Sequence, residues 1–302
     1  MTKTGVAVTA PHSVKSALAR ISNAAADERQ IIIKRSDFVK KHILSFSGGK
    51  DSTYLAFYLI ENGYPLDEAV MFDTGWEFPQ MYDHIEKMKV YFENHGVKFT
   101  TLNPIRSFDY LMFECPHNGK HDGVTRHGFS WCGLHNCRWG THEKLVVLDE
   151  YMESQGAKVY VGIAADERER LDKERKPFKC FPLANNGITE AECLRSCYER
   201  GFTWDGLYEK LDRVSCKFCA LKNLKELRNI YFDMPEVWEE LREKQKLTDK
   251  PYKGDGKSVF QLETRFKLEK ERQDAGLSIT NREFYSLLTE RLKQLTDGAG
   301  GV

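Results

Sequence analysis

The chain carries the stretch Ser47-Gly48-Gly49-Lys50-Asp51-Ser52 between an apolar run at residues 42–46 and a second apolar run at residues 53–60. The first run predicts a buried strand and the second a buried helix, so the stretch forms the turn between them. Backbone N–H groups and the positive end of the helix dipole point into such a turn. Because the two glycines have no Cβ, the backbone can approach a phosphate closely. The stretch therefore predicts a phosphate-binding loop.

The side chains of this loop support the same interpretation. Ser47 and Ser52 add hydroxyl donors, Lys50 adds a positive charge, and Asp51 can orient the loop or hold Mg²⁺ through water. Lys50 and Asp51 are therefore candidate catalytic residues. The spacing is not that of a Walker A loop. An ordinary strand-to-helix turn would explain Ser-Gly-Gly alone, but it does not explain the complete string.

Composition limits the classes of protein that the chain can belong to. Of its 302 residues, 41% are hydrophobic, which is enough to build a core. The 45 basic residues balance the 45 acidic ones, so net charge gives no argument for a nucleic-acid or membrane partner. No apolar run reaches the roughly 18 residues that a membrane span needs. We predict a cytoplasmic protein without a membrane partner.

Buried strands are expected to alternate with helices along the first part of the chain. The expected strands after the first are 69–72, 97–102, 160–164 and 178–183. This alternation predicts a parallel sheet with right-handed crossovers. The predicted domains are an N-terminal accessory helix in 1–40, a nucleotide-binding domain at 41–185 and a helical region with a Cys-x2-Cys motif at 186–302. Residues 104–144 hold five histidines and are predicted to be irregular, and the chain end from 297 is predicted to be disordered.

Polar residues follow two of the expected strands. Asp73, Thr74 and Gly75 come after the second strand and are candidates for the ribose and adenine side, because the carboxyl ends of strands face the ligand crevice. The alternative is a solvated loop with a helix cap at Thr74.

The charged run at residues 165–170 follows the strand 160–164. In this run, Arg168 or Arg170 could contact an α-phosphate bidentately. A solvated face is the alternative for this run.

The eight cysteines of a cytoplasmic chain indicate metal binding or redox chemistry more than disulfides. The pairs Cys132-x4-Cys137 and Cys216-x2-Cys219 could converge as a four-thiolate site for Zn²⁺ or a [4Fe-4S] cluster. A redox pair at Cys216 and Cys219 and purely structural thiols are the alternatives. Another pair, at positions 193 and 197, is predicted to be small buried residues on one helix face.

These motifs together resemble the phosphoadenylyl-sulfate (PAPS) reductase-like family, over roughly residues 40–235. The motifs are the Ser47–Ser52 loop of the N-type PP-loop ATP pyrophosphatases, the Asp-Thr-Gly end of the second strand, and an element in which Gly162, Glu167 and Arg170 match. The cysteine pairs are similar to those of phosphorothioation sulfurtransferases. The resemblance implies the adenine nucleotide alpha hydrolase fold, an α/β fold with a five-stranded parallel Rossmann-like sheet and a helical, cysteine-containing C-terminal part.

The chain departs from the family pattern at three places. Ala164 stands where the family has an arginine, so one phosphate or sulfate contact of the family is in question here, and Gly140 replaces a cysteine. The Glu-Cys-Gly-Ile/Leu-His segment of true sulfonucleotide reductases is missing, and no cysteine follows Cys219. The thiol that would attack the sulfate sulfur is therefore missing from its usual place.

The resemblance implies an enzyme that cleaves ATP between its α- and β-phosphates and forms AMP. We expect ATP·Mg²⁺ to bind the loop and Gly162, Glu167 and Arg168, with Lys50, Asp51 and Arg170 as catalytic residues. The expected activity is adenylylation of an acceptor, a nucleic acid or a small molecule, for sulfur transfer of the thiolation or phosphorothioation type, with a sulfur donor protein as partner. The alternatives are a PAPS or APS reductase and a non-catalytic nucleotide-binding regulatory protein.

Overall fold

A computed structural model describes residues 41–119, 121–132, 137, 139–173 and 176–299. The predicted accessory helix at 1–40 lies outside the described residues. Seven strands are described: β1 (Lys41–Ser45), β2 (Glu68–Phe72), β3 (Lys98–Leu102), β4 (Pro116–Asn118), β5 (Thr125–His127), β6 (Ala157–Val161) and β7 (Lys179–Cys180).

Five of these strands form one sheet in the order β3-β2-β1-β6-β7, and all of its neighbours are parallel. β1 lies at its centre, with Leu44 opposite both Ala69 of β2 and Tyr160 of β6. The predicted five-stranded parallel α/β sheet is thus confirmed. After β1, the chain adds β2 and β3 on one side of β1, and it then adds β6 and β7 on the other side. The crevice between the carboxyl ends of β1 and β6 is therefore the switch point where ligands bind in such sheets.

Helices cover the sheet and make up most of the C-terminal part. They are α1 (Lys50–Glu61), α2 (Pro79–Asn94), α3 (Val146–Ser154), α4 (Arg168–Lys173), α5 (Pro182–Asn185), α6 (Glu190–Glu199), α7 (Leu207–Lys210), α8 (Leu224–Asp233), α9 (Pro235–Lys246), α10 (Val259–Asp274) and α11 (Arg282–Ala299). The capping box predicted at the start of α6 is present: Thr189 accepts from the Glu192 N–H, and Glu192 accepts from the Thr189 N–H.

Three expectations about local structure are corrected. The last strand ends at Cys180 instead of 183, because Pro182 begins the short helix α5 and cannot donate to a ladder. The segment 104–144 is more regular than predicted, with π-helical turns at Tyr110–Glu114 and Trp139–Leu145 and an antiparallel β4–β5 hairpin. Predicted disorder from 297 is wrong for residues 297–299, which continue α11.

One hydrophobic core joins the sheet to the C-terminal helices. Buried side chains of this core run from Ile43 in β1 to Phe266 in α10. A smaller cluster of Leu268, Phe284 and Leu288 lies between α10 and α11. The C-terminal helices are therefore packed close enough to supply side chains to the crevice of the sheet.

A buried carboxylate lies at the end of the sheet opposite this crevice. Glu68, at the start of β2, is 1% exposed and accepts hydrogen bonds from Lys41 (3.1 Å), Lys98 (3.0 Å), Tyr151 (2.9 Å) and Thr100. Burial alone would raise the pKa of Glu68, but these donors outweigh burial and lower the pKa from 4.5 to about 2. The ionised carboxylate thus ties together the starts of the three strands β1, β2 and β3.

Replacing Glu68 with glutamine is expected to remove an acid-sensitive part of the stability. Because its folded pKa is depressed, ionised Glu68 stabilises the fold above about pH 5, and this contribution is lost as pH falls through about 2. The shift corresponds to about 3 kcal/mol in the free energy of unfolding. In urea unfolding at several pH values, Glu68→Gln should have a lower free energy of unfolding at neutral pH, and this free energy should decrease less as the pH is lowered. Glu86→Gln, at an exposed ion pair with Lys89, should change the unfolding free energy by less than about 0.5 kcal/mol; equal effects of the two would contradict the assignment.

Candidate active site

The loop Ser47–Ser52 joins β1 to α1 and is held in shape by its own serines. Ser52 Oγ accepts from the Ser47 N–H at 3.2 Å and donates to the Gly49 carbonyl at 3.0 Å, and the two hydroxyl oxygens are 3.1 Å apart. Gly48 adopts φ +76°, and a Cβ there would lie 2.7 Å from Met81 Sδ. The glycine is therefore needed both for its backbone conformation and for space.

The first turn of α1 presents unused donors at the switch point. Within the described residues, the backbone N–H groups of Asp51 and Ser52 donate to no protein atom. Gly162, directly after β6, lies against this turn, since a Cβ on it would be 2.8 Å from the Ser52 nitrogen. The absence of a side chain at Gly162 therefore allows the end of β6 to approach the start of α1. Together the two segments leave an N-terminal helix end of the kind that binds anions.

Charged side chains surround this helix end. Lys50 Nζ lies 3.0 Å from Asp51 and 3.3 Å from Glu190, and oxygens of Asp51, Glu167 and Glu190 lie within 4.8 Å of one another. Burial opposes the charge on Lys50, but Asp51 and Glu190 raise its pKa above 10.5. Burial raises the pKa of Asp51; Lys50 counteracts the shift, while Glu190 and Glu167 add to it. Three carboxylates around one ammonium group are a set that could hold a divalent cation.

The two arginines predicted for this site occupy its edge. Glu167 accepts from the Ala164 N–H at 3.2 Å and also from Arg170, which brings Arg170 to the carboxylate group. Arg168 is exposed at the start of α4 and lines a shallow depression. Sequence reasoning did not include Glu190, whose role as a partner of Lys50 depends on the packing of α6 on α1.

The segment after β2 is also fixed by internal hydrogen bonds. Asp73 Oδ1 accepts from the Gly75 N–H and from the Tyr82 hydroxyl, both at 2.8 Å, and Thr74 donates to Glu77 at 2.8 Å. Asp73, Thr74 and Gly75 therefore lie at the carboxyl end of β2, on the same edge of the sheet as the loop after β1.

A short contact joins this segment to the cysteine-containing part of the chain. The backbone N–H of Lys217 donates to the Trp76 carbonyl at 2.7 Å, and the Trp76 ring packs edge-on against Phe218 at 5.4 Å. The Cys216–Cys219 turn is thus directly attached to the segment that follows β2.

The four cysteines predicted as metal ligands line one pocket. Cys132, Cys137, Cys216 and Cys219 share it with a set of mostly aromatic residues, namely Trp76, Met112, Trp131, Trp139, Phe218 and Ala220. A hydrogen bond from Cys216 lowers the pKa of Cys219 to about 5, against the effect of burial. Hydrogen bonding from Cys132 similarly lowers the pKa of Cys137 to about 7. Within each pair, the hydrogen bond between the two thiols therefore favours the ionised form of one of them, which is the form that binds a metal.

Residues near the C-terminal helices hold the two cysteine segments in place. The Tyr252 hydroxyl donates to the Cys219 carbonyl at 2.6 Å, and the Tyr252 ring packs edge-on against Trp131 at 5.1 Å. Lys253 donates to the carbonyls of Ala220 and Lys222, both at 2.7 Å. Sequence reasoning missed both residues, because no local pattern shows which distant carbonyl a tyrosine or lysine will contact.

The second cysteine pair packs against the start of α1, next to the loop. Cys193 and Cys197 are fully buried on the face of α6 that packs against α1, as predicted for small buried residues. The Cys197 thiol donates to the Lys50 carbonyl at 3.6 Å, and burial raises the pKa of both thiols. These two cysteines lie outside the thiol pocket.

Comparison with known proteins finds a family match over the part of the chain that holds the loop and the first three strands. Residues 41–111 match the family described as the phosphoadenosine phosphosulfate reductase domain. An uncharacterized protein of Methanocaldococcus jannaschii is 23% identical over 217 residues, which cover 67% of this chain and 41% of that protein. The chain thus spans about two-fifths of the length of this relative. No helix among the described residues has an apolar segment long enough to cross a membrane. Residues 41–111, which hold β1, β2, β3 and the loop, are therefore similar to the phosphoadenosine phosphosulfate reductase domain, a member of the adenine nucleotide alpha hydrolase superfamily.

Proposed function

We propose that the protein is an ATP-dependent adenylyltransferase that cleaves ATP between its α- and β-phosphates and activates an acceptor for sulfur transfer. The observation that carries the proposal is the start of α1, where the N–H groups of Asp51 and Ser52 are unpartnered among the described residues beside Lys50. Free N–H donors, a helix dipole and a lysine together favour a phosphate chain. The location at the switch point between β1 and β6 supports the same ligand.

In the proposed reaction, the pyrophosphate part of ATP binds the Ser47–Ser52 loop and the adenosine binds near Asp73–Gly75. An acceptor oxygen attacks the α-phosphorus and forms a new P–O bond. The bond from the α-phosphorus to the bridging oxygen breaks, and its electron pair leaves with pyrophosphate. Lys50 and Arg170 stabilise the negative charge that develops on the phosphate oxygens.

Mg²⁺ is the cation that we assign to the acidic group beside Lys50. Asp51, Glu167 and Glu190 would hold it, because their oxygens converge within 4.8 Å. Bound there, it would neutralise charge on the phosphates. Lys50 remains the only protein ammonium group paired with Asp51 and Glu190 in the part of the chain that the structure describes, so it limits repulsion between the carboxylates and the incoming phosphates.

We further propose that the thiol pocket holds Zn²⁺ or a [4Fe-4S] cluster through Cys132, Cys137, Cys216 and Cys219. The donor set fits such a group: four thiols line one pocket, and the buried indole N–H groups of Trp131 and Trp139 in its wall meet no acceptor among the described residues. Indole donors of this kind could bond thiolate or sulfide sulfur. Zinc would give the pocket a structural role, whereas an iron–sulfur cluster would favour sulfur transfer.

The acceptor is proposed to be a nucleic acid or a small molecule, with a sulfur donor protein as a second partner. A sulfonucleotide reductase remains the second candidate, favoured by the description of the matched domain. Against it, residues 220–302 hold no cysteine that could attack a sulfate sulfur.

Pyrophosphate release distinguishes these functions. The protein, purified without oxygen, is incubated with ATP and Mg²⁺ and with tRNA, DNA or small-molecule acceptors in turn. AMP and pyrophosphate formed with one acceptor would support the adenylyltransferase. Sulfite released from PAPS or APS with a thiol reductant would support the reductase instead. ATP binding without either product would favour a regulatory protein.

A further inference from the structure

Two aromatic residues from the C-terminal half of the chain contact the Ser47–Ser52 loop directly. Trp204 Nε1 donates to the Gly48 carbonyl at 2.8 Å, and the Tyr208 hydroxyl accepts from the Lys50 N–H at 2.8 Å. Their rings pack edge to face with 4.9 Å between centroids. We refer to Trp204 and Tyr208 as the aromatic brace.

The backbone that carries the brace is strained. Trp204 and Asp205 adopt φ values of +50° and +46°, followed by Gly206 at +81°. A left-handed conformation costs about 1 kcal/mol or more for a residue with a Cβ, so it persists only where the surrounding contacts maintain it. Those contacts are present, since Trp204 is 3% exposed and its ring centroid lies 4.4 Å from the ring centroid of His84. The contacts of the brace therefore maintain a left-handed backbone that would otherwise be unfavourable.

The Tyr208 hydroxyl can still donate one hydrogen bond. Its oxygen accepts from Lys50, while its own proton meets no acceptor among the described residues. Burial raises the pKa of Tyr208, so the hydroxyl remains protonated at neutral pH. It lies at the N-terminal end of α1, beside the unpartnered N–H groups of Asp51 and Ser52. The tyrosine therefore occupies one helix N–H donor and offers its own O–H donor at the same helix end.

We propose that Tyr208 is a phosphate-binding residue whose hydroxyl accepts the Lys50 N–H and donates its own proton to an oxygen of the nucleotide's phosphate chain. This inference rests on the proposed function, because it requires that the loop binds phosphates. Trp204 acts as a positioning residue. Its indole N–H donates a hydrogen bond to the Gly48 carbonyl, so this partially negative oxygen stays bonded to the protein. The brace gives the C-terminal half of the chain a direct role in phosphate recognition.

The test compares Tyr208→Phe with the unaltered full-length chain. Binding of Mg·ATP, inorganic pyrophosphate and adenosine is measured by titration. Loss of a hydrogen bond to a charged phosphate oxygen should raise the Kd for ATP and for pyrophosphate about tenfold or more. The Kd for adenosine should not change, because adenosine lacks the phosphate that the hydroxyl contacts. Phenylalanine retains the ring that packs on Trp204, so the variant is expected to fold.

Tyr198→Phe is the matched control. Its hydroxyl donates to Glu209 at 2.8 Å in an exposed position and does not contact the loop, so all three dissociation constants should stay the same.

Three results would overturn the inference. If Tyr208→Phe binds pyrophosphate equally or more tightly, the hydroxyl contributes nothing or only competes with the anion. If it loses adenosine together with pyrophosphate, Tyr208 has a general structural role. In both cases the proposed function stands. If the unaltered chain binds neither ATP nor pyrophosphate, the proposal that the Ser47–Ser52 loop binds phosphate is wrong, and the inference fails with it.

Discussion

Replacing Lys50 with glutamine is expected to reduce pyrophosphate release from ATP about a hundredfold. The substitution removes the ammonium group that lies between Asp51 and Glu190, at 3.0 and 3.3 Å. Three carboxylates would then face the phosphates of ATP without that positive charge. Because the Lys50 side chain is only 12% exposed, solvent would screen this repulsion weakly.

Measurement of both ATP turnover and adenosine binding separates a role at the phosphates from a loss of folding. Turnover and ATP affinity should fall in Lys50→Gln, while adenosine affinity and the thermal midpoint should stay close to those of the unaltered protein. Lys173→Gln in α4 is the matched control, since it makes the same charge change at a 78% exposed side chain that pairs with Glu169. Full turnover in Lys50→Gln would remove the catalytic role of Lys50.

The central part of the fold could be predicted because its signals are local. The strand, the glycine-containing turn and the helix of residues 41–61 are contiguous, and each has its own pattern of apolar residues. Parallel pairing then follows from the alternation of strands and helices. The same reasoning explains why Asp73 was expected near the loop: it follows a strand of the sheet, so it lies at the carboxyl edge. Gly162 was expected there only through the family resemblance, since the sequence placed it inside the strand 160–164, whereas the structure ends β6 at Val161.

The remaining parts of the site depend on contacts between distant residues. Tyr208 is 158 positions from Lys50, and Trp204 is 156 positions from Gly48. Strained backbone at 204–206 also contradicts the usual preference of tryptophan for negative φ. Neither feature has a periodic signal in the sequence. Functional sites are where such local rules are most often broken.

The convergence of the cysteines could be predicted only in part from the sequence. Their spacing identified two pairs, but only the tertiary structure brings residues 132 and 137 to the same pocket as residues 216 and 219. The contacts that achieve this come from Tyr252, which bonds the Cys219 carbonyl and packs on Trp131.

Replacing Cys219 with alanine is expected to lower the metal content of the anaerobically purified protein at least about tenfold. Cys219 lines the pocket with the other three thiols, and the hydrogen bond from Cys216 lowers its pKa, which favours the thiolate that a metal binds. Its loss leaves three thiols, one fewer than a closed tetrahedral site or a four-iron cluster requires. Metal analysis, assay of acid-labile sulfide and an absorption spectrum measure the effect.

Cys180→Ala is the control for that experiment, because Cys180 lies in β7 and does not line the thiol pocket. The control should retain all of the metal. Iron with sulfide in the unaltered protein would support a role in sulfur transfer, and stoichiometric zinc would make the pocket structural. Metal retained in Cys219→Ala, or missing from the unaltered protein, would show that the four thiols do not act together as ligands. The pocket would then be interpreted through its two thiol pairs, with Cys216 and Cys219 as the candidate redox couple.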